Sequence, residues 1–274
     1  VVRYAVNASI LLTDRPLLER PAAVRDAGFA AVEFWWPFAT AVPADREVDA
    51  FVAAVRDSGV RLTGLNFFAG DMPAGERGLV CDPQRSTEFR DNVDVVVGIG
   101  EQLGCRAFNA LYGLRAEDSD TAASEEAATT NLAAAAGAVA RIGGTVLLEP
   151  LSGAPAYPLR TAADALSVVD RLHRHGHANL ALLADLYHLA VNGDHAAAVI
   201  DTQTPRIGHL QVADAPGRGA PGTGELPLLD WVRSAYAHGY DGWVGLEYLS
   251  GDPDPFAWLD RGQRDATLEE RTEA

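Results

Sequence analysis

Cysteine is nearly absent: Cys81 and Cys105 are the only two in 274 residues. That is too few for a disulfide framework, so a reducing compartment with both thiols as small buried groups is expected. Long apolar runs are also missing, and none approaches the roughly 20 residues that cross a bilayer. The N-terminal VVRYAVNASILLTDRP lacks a basic region leading into a long apolar segment. The expectation is a soluble, unexported, cytoplasmic protein. Basic residues are in deficit, 22 against 38 acidic, which leaves a net charge of −16. Such a surface repels polyphosphate backbones and anionic membranes, so neither nucleic acid nor membrane is an expected partner, and self-association into a homo-oligomer is left open. An acidic pocket can still hold a divalent cation, which then attracts a small anionic substrate that the bare protein would repel.

No Pro/Gly/Ser-rich linker divides the chain, and 48% hydrophobic content is ample for one large core. The expected organisation is a single domain over 1–274 with a helical tail from about 254. The run AASEEAATTNLAAAAGAVARIG is a strong helix former. Short apolar, β-branched runs alternate with amphipathic segments, many of which close on a glycine: Gly28, Gly59, Gly104, Gly176 and Gly239. Strands are predicted at about 3–8, 30–34, 61–66, 106–111, 145–149, 179–185, 206–213 and 243–248. Eight βα units in a chain of this length predict an α/β fold, the (β/α)8 TIM barrel, with a doubly wound open sheet as the alternative.

In a barrel the C-terminal strand ends share one face. The polar residues nearest those ends are Asn7, Glu33, Asn66, Asn109, Glu149, Asp185, Gln211 and Glu247, spaced 26 to 43 residues apart. The last four sit behind strongly apolar runs in TVLLEP, LALLADLYH, IGHLQVAD and WVGLEY, where a lone ionised group is costly to desolvate. Clustered carboxylates also repel one another, and a shared cation removes both penalties. This all-oxygen set of Glu149, Asp185, Gln211 and Glu247 suits Mg or Mn. Such a metal would polarise an α-hydroxy carbonyl substrate while Glu149 and Glu247 remove and return a proton, giving isomerisation through an enediolate. No serine occupies a nucleophile elbow. His188, one turn past Asp185, is placed to contact substrate oxygen. His209 is expected inside the barrel, and the His173, His175, His177 cluster at a helix end on the opposite face. Trp35, Trp36, Phe67, Phe68, Tyr112, Tyr187 and Tyr248 lie at strand ends, where they wall a pocket or pack the rim.

The stretches GFAAVEFWWP, AGERGL, LLEPL, DLYH, HLQVADAPGR, PGTGE and GYDGWVGLEY together resemble the hydroxypyruvate isomerase family of the xylose-isomerase-like TIM barrels, over about 3–248. The resemblance implies interconversion of hydroxypyruvate and tartronate semialdehyde (2-hydroxy-3-oxopropanoate), a step of glyoxylate metabolism. It implies a divalent metal on Glu149, Asp185, Gln211 and Glu247, with Glu149 and Glu247 as the acid/base pair. His188 and Arg218 correspond to substrate contacts, and Asn109, Glu33 and Asn66 complete the expected substrate set. Two places depart from the family pattern: Gly219 and Ala220 replace a His-Glu pair, and Ser152-Gly153-Ala154 replaces an Asn-x-Arg stretch. Alternatives on the same scaffold are a 2-oxo-tetronate isomerase or a ketose 3-epimerase, then an endonuclease IV-like repair enzyme, then a non-catalytic sugar-binding protein. Gly217, Gly219 and Gly222 also spell G-x-G-x-x-G after an apolar run, but no helix follows directly, so a dinucleotide site is not expected. The glycines read instead as a loop over the pocket that brings Arg218 in.

Overall fold

A computed structural model describes residues 1–115 and 120–264 of the chain. Eight strands run β1 (Tyr4–Asn7), β2 (Ala31–Phe34), β3 (Arg61–Asn66), β4 (Ala107–Asn109), β5 (Thr145–Leu148), β6 (Leu180–Asp185), β7 (Ile207–Val212) and β8 (Val244–Leu246). Every neighbouring pair is parallel, and β8 pairs with β1 to close the barrel. Closure settles the choice left by the sequence, because an open doubly wound sheet has two unpaired edges.

The helices between the strands are α1 (Arg20–Asp26), α2 (Asp45–Ser58), α3 (Ser86–Leu103), α4 (Thr121–Ala140), α5 (Ala162–Arg174), α6 (Leu186–Val191), α7 (Ala196–Gln203) and α8 (Leu228–Ala237). The sixth unit carries two of them, α6 and α7. All five glycines expected to end helices have positive φ, with Gly59 and Gly104 as left-handed C-caps. Among the described residues no helix is long and apolar enough to cross a membrane. The expected C-terminal helical tail lies partly outside the described residues; between 254 and 264 the chain forms turns and one 3-10 turn, Arg261–Gln263.

Packing around β4 shows how the helices seat on the barrel. Phe108 is fully buried and meets Phe67 at 6.2 Å between ring centroids. A Cβ on Gly100 or Gly144 would stand 2.5 Å or 2.9 Å from its ring, so both positions require glycine to admit the aromatic. Cys81 and Cys105 are free and buried, and burial pushes their thiols up to about 11 and about 12.

Candidate active site at the strand C-termini

Barrel register brings the polar ring together in layers. Asn7 pairs with Glu33, Asn66 with Asn109, and Asp185 with Gln211. Asn109 is also level with Leu147, and Gln211 with Gly245. Glu149 and Glu247 lie two residues further along their strands, on the same face but one layer higher.

That step in height separates the two glutamates from Asn109, while Asn66, in register with Asn109, borders both the space above and the one below. A cavity of about 920 Å³ opens above the barrel, and Glu149, Glu247, Asn66, His188 and Arg218 all line it. Glu33 and Asn109, expected to touch substrate, do not reach it. They border a lower void of about 10 Å³, no larger than one water molecule, together with Asn7, His209 and Gln211. Glu33 is saturated there: Asn7 Nδ2 donates to Oε1 at 3.1 Å, Gln211 Nε2 to the same oxygen at 2.7 Å, and His209 Nε2 lies 2.6 Å from Oε2. A Cβ on Gly245 would fall 2.5 Å from Glu33 Oε1 and 2.8 Å from Gln211 Cγ, so the glycine of WVGLEY makes room for this network.

The lower layer holds the upper one by its outer oxygens. Asn109 Nδ2 donates to Glu149 Oε2 at 2.7 Å, while Asn7 Nδ2 and Gln211 Nε2 both donate to Glu247 Oε2 at 2.7 Å. Each glutamate therefore keeps Oε1 for other partners. Glu149 Oε1 lies 3.9 Å from His188 Nε2, and Glu247 Oε1 accepts from Arg218 Nη2 at 2.6 Å. Because carboxylates only accept, the Gln211 nitrogen must face Glu33 and Glu247, which leaves Gln211 Oε1 without a partner among the described residues. Asp185 caps α6 through Oδ1, accepting from the Tyr187 N–H at 2.9 Å, and its fully buried Oδ2 is equally unpartnered.

Electrostatics follow from this crowding. Burial first, then the Glu247 and Asp185 charges, pushes the Glu149 carboxyl well above its ordinary range. Burial raises Glu247 to about 8 against the opposing pull of Arg218. Arg218 stays charged despite burial because Glu247, Asp185 and Glu149 surround it, and its guanidinium also lies 5.5 Å over the Tyr187 ring. His188 goes down to about 4, mainly through burial and with Asp185 opposing. The Ser152 N–H donates to His188 Nδ1 at 3.0 Å, and Ser152 Oγ lies 2.7 Å from the same nitrogen. A backbone N–H can only donate, so Nδ1 is the bare nitrogen and the neutral ring carries its proton on Nε2, facing Asp185 Oδ2 at 3.6 Å and Glu149. The departure at Ser152 thus supplies a hydroxyl that helps set the His188 tautomer.

Glu149, Asp185 and His188 bring potential ligand atoms within 4.8 Å of one another; with the His188 proton on Nε2, the two carboxylates are the members of that group free to ligate. Two buried oxygens without a hydrogen-bond partner among the described residues, Asp185 Oδ2 and Gln211 Oε1, and two buried glutamates with raised proton affinity also fit a hard divalent cation.

Sequence reading missed Asp214. Buried completely, its carboxylate accepts from the N–H groups of Ala215, Gly222, Gly224 and Leu226, each at 2.9 Å. These bonds pin the glycine-rich loop instead of leaving it a free cover, and they consume the N–H groups a phosphate would need. The loop holds Arg218 in a left-handed conformation, φ 57°. The signal was an aspartate placed directly before a run of glycines that need acceptors.

The other candidates fall as their chemistry suggests. His209 lies inside the barrel. His173, at the end of α5, faces the carbonyl of Leu180 where β6 begins, on the opposite end from the carboxylates. Trp35, Trp36 and Phe68 line the cavity, whereas Phe67, Tyr112 and Tyr248 are buried packing.

Comparison with known proteins agrees with this architecture. The family described as xylose isomerase-like TIM barrel matches residues 21–268. A Streptomyces coelicolor protein bearing the name of hydroxypyruvate isomerase is 50% identical over 273 residues, covering 96% of this chain and 98% of its own. The 2-oxo-tetronate isomerase of Cupriavidus necator is 34% identical over 263 residues, covering 94% and 97%. A solved structure from Brucella melitensis described as an AP endonuclease of family 2 has a TM-score of 0.85 at 32% identity, covering 94% and 98%. The chain belongs to the xylose isomerase-like TIM-barrel family, in its hydroxypyruvate isomerase branch, and is an isomerase.

Proposed function

We propose that the chain interconverts hydroxypyruvate and tartronate semialdehyde by proton transfer through an enediolate, with a divalent metal, Mg or Mn, on Glu149, Asp185, Gln211 and Glu247. The observation that carries this reading is the matched pair of glutamates. Both line one cavity, each is anchored by an amide at Oε2, and each has another cavity-lining residue at Oε1, His188 for Glu149 and Arg218 for Glu247. That is the arrangement needed when one carboxylate takes a proton from the carbon bearing the hydroxyl and the other returns one to the neighbouring carbon. The hydroxyl proton passes between the two oxygens, so the product has gained and lost nothing overall.

The metal, when bound, would polarise the two substrate oxygens and stabilise the charge developing on them. His188 would offer its Nε2 proton to one of those oxygens, and its neutral state keeps it a donor rather than a competing cation. The chain contains no lysine, so a Schiff base on a side-chain amine is not an available route.

A second reading, isomerisation of a 2-oxo-tetronate, is favoured by the cavity of about 920 Å³, which is far larger than a three-carbon acid requires. An endonuclease role fits poorly, because the site holds one histidine where a multi-zinc cluster needs several, and the net charge of −16 opposes DNA.

The test is proton NMR in deuterated water with hydroxypyruvate, 2-oxo-tetronates and free ketoses side by side. Proton transfer predicts solvent deuterium at the new C–H bond, and Glu247→Gln is expected to lower kcat by about 10²- to 10⁴-fold with the fold intact. Retention of the migrating hydrogen, or undiminished turnover in that variant, would sink the acid/base assignment.

A further inference from the structure

Four arginines line the large cavity: Arg20, Arg77, Arg85 and Arg218. Two are already neutralised. Arg218 closes on Glu247 and Asp185, and Arg85 on Glu76 and Glu88. Arg20 donates from Nε and Nη1 to the carbonyls of Arg15 and Ala8. Arg77 likewise gives Nη1 to the carbonyls of Met72 at 2.9 Å and Glu76 at 2.6 Å, and no carboxylate among the described residues pairs with it. Carbonyls orient a guanidinium without cancelling its charge, and Nε and Nη2 are left as a fork for a planar anion.

Arg20 and Arg77 differ in what they have left to offer. Arg20 spends Nε on the Arg15 carbonyl and so has no free Nε–Nη2 fork, whereas Arg77 spends Nη1 alone. Arg77 is also held rigidly. Its carbonyl accepts from the Gly113 N–H at 3.0 Å, and the Gly78 N–H donates to Ala69 at 2.9 Å. Gly78 has φ 107°, and a Cβ there would stand 1.9 Å from the Leu111 carbonyl oxygen, so the turn in AGERGL is clamped against the exit of β4. A rigidly held guanidinium that borders the cavity with its Nε–Nη2 fork free is preorganised to receive an anion.

We propose that Arg77 anchors the substrate carboxylate and so selects hydroxy-oxo acids over neutral ketoses. This rests on the isomerase reading above. It reassigns the role expected of Arg218, whose guanidinium is engaged by Glu247 and Asp185 and is better placed beside the reacting oxygens.

The test uses the metal-loaded protein. Steady-state kinetics compare hydroxypyruvate with dihydroxyacetone, and calorimetry measures D-glycerate, a non-reacting acid, beside glycerol. Arg77→Gln is expected to weaken glycerate binding and raise KM for the acid by about 10- to 100-fold, with kcat changing much less and Arg77→Lys recovering part of the loss. A folded Arg77→Gln variant with wild-type glycerate affinity and KM overturns the proposal, even if hydroxypyruvate is turned over normally. Wild-type protein that binds glycerate through Arg77 but converts no 2-oxo acid would instead overturn the substrate reading and leave the anchor standing. Phenylglyoxal modification of the wild-type protein, mapped by peptide mass, decides the matter without any variant: glycerate should protect Arg77, and absence of protection refutes the anchor.

Discussion

Replacing one of the buried carboxylates of the cavity should make the metal-free protein more stable, and Glu149→Gln is the cleanest case. Glu149 is buried beside Glu247 and Asp185, and its carboxyl is pushed well above the ordinary 4.5. A folded-state pKa above the unfolded one means the folded protein prefers the protonated form. No cost arises at or below the ordinary value. Above it the penalty grows by ~1.4 kcal/mol per pH unit until the folded pKa is reached. However far the folded value is raised, the penalty at pH 7 cannot exceed ~3 kcal/mol, and at pH 5 it stays under ~1 kcal/mol. Glutamine keeps an oxygen for Asn109 Nδ2 and removes one negative charge from beside Glu247 and Asp185. After dialysis against EDTA, calorimetry should therefore show Tm raised at pH 7, by at most roughly 6–12 °C, and by little at pH 5. Adding Mn or Mg at 100 times its Kd should stabilise the wild type by ~2.7 kcal/mol and the variant far less, narrowing or reversing the order. A metal-free variant no more stable than wild type at pH 7 would refute the idea that these carboxylates are strained together for want of a cation.

EDTA should also abolish turnover, with Mg or Mn restoring it; indifference to chelation would remove the metal from the reaction. Asp214→Ala strips the acceptor from four backbone N–H groups and should cost about 3 kcal/mol or more in thermal unfolding. It should also lower kcat/KM as Arg218 loses its fixed position, and unchanged kinetics would show that the loop is held by other means. Gly245→Ala inserts a methyl 2.5 Å from Glu33 Oε1, so a loss of about 1–3 kcal/mol and a smaller Mn-induced rise in Tm are expected. An undiminished Mn response in that variant would mean that Gln211 is not a ligand.

The barrel was legible because its units obey local rules: apolar runs of strand length, amphipathic segments, and glycines where helices stop. Closure was a consequence of counting eight such units. Strand-end polar residues were legible for a different reason, since an amide or carboxylate behind a run such as IGHL or TVLL has no place in a plain core. What alternation along a strand does not disclose is height. Glu33, Asn109 and Glu149 read alike as strand-end groups, yet the register puts Asn109 one side-chain layer below Glu149 and Glu33 lower still, where they hold and orient groups in place of substrate. Height depends on how eight strands stagger around the barrel, and no single segment encodes that.

The same distinction explains the glycine-rich loop. G-x-G-x-x-G spacing records where the backbone can turn sharply, not where its N–H groups point. In a dinucleotide site they would point outward to a phosphate; here Asp214 gathers those of Gly222 and Gly224 from within. Arg77 is the converse case. It sits in a short motif with nothing unusual about its spacing, and its chemistry emerges only when its neighbours are counted, because a cation is defined by which charges fail to reach it. The residues a sequence displays most plainly are those whose burial is locally improbable, and the residues that decide substrate are those whose partners are missing.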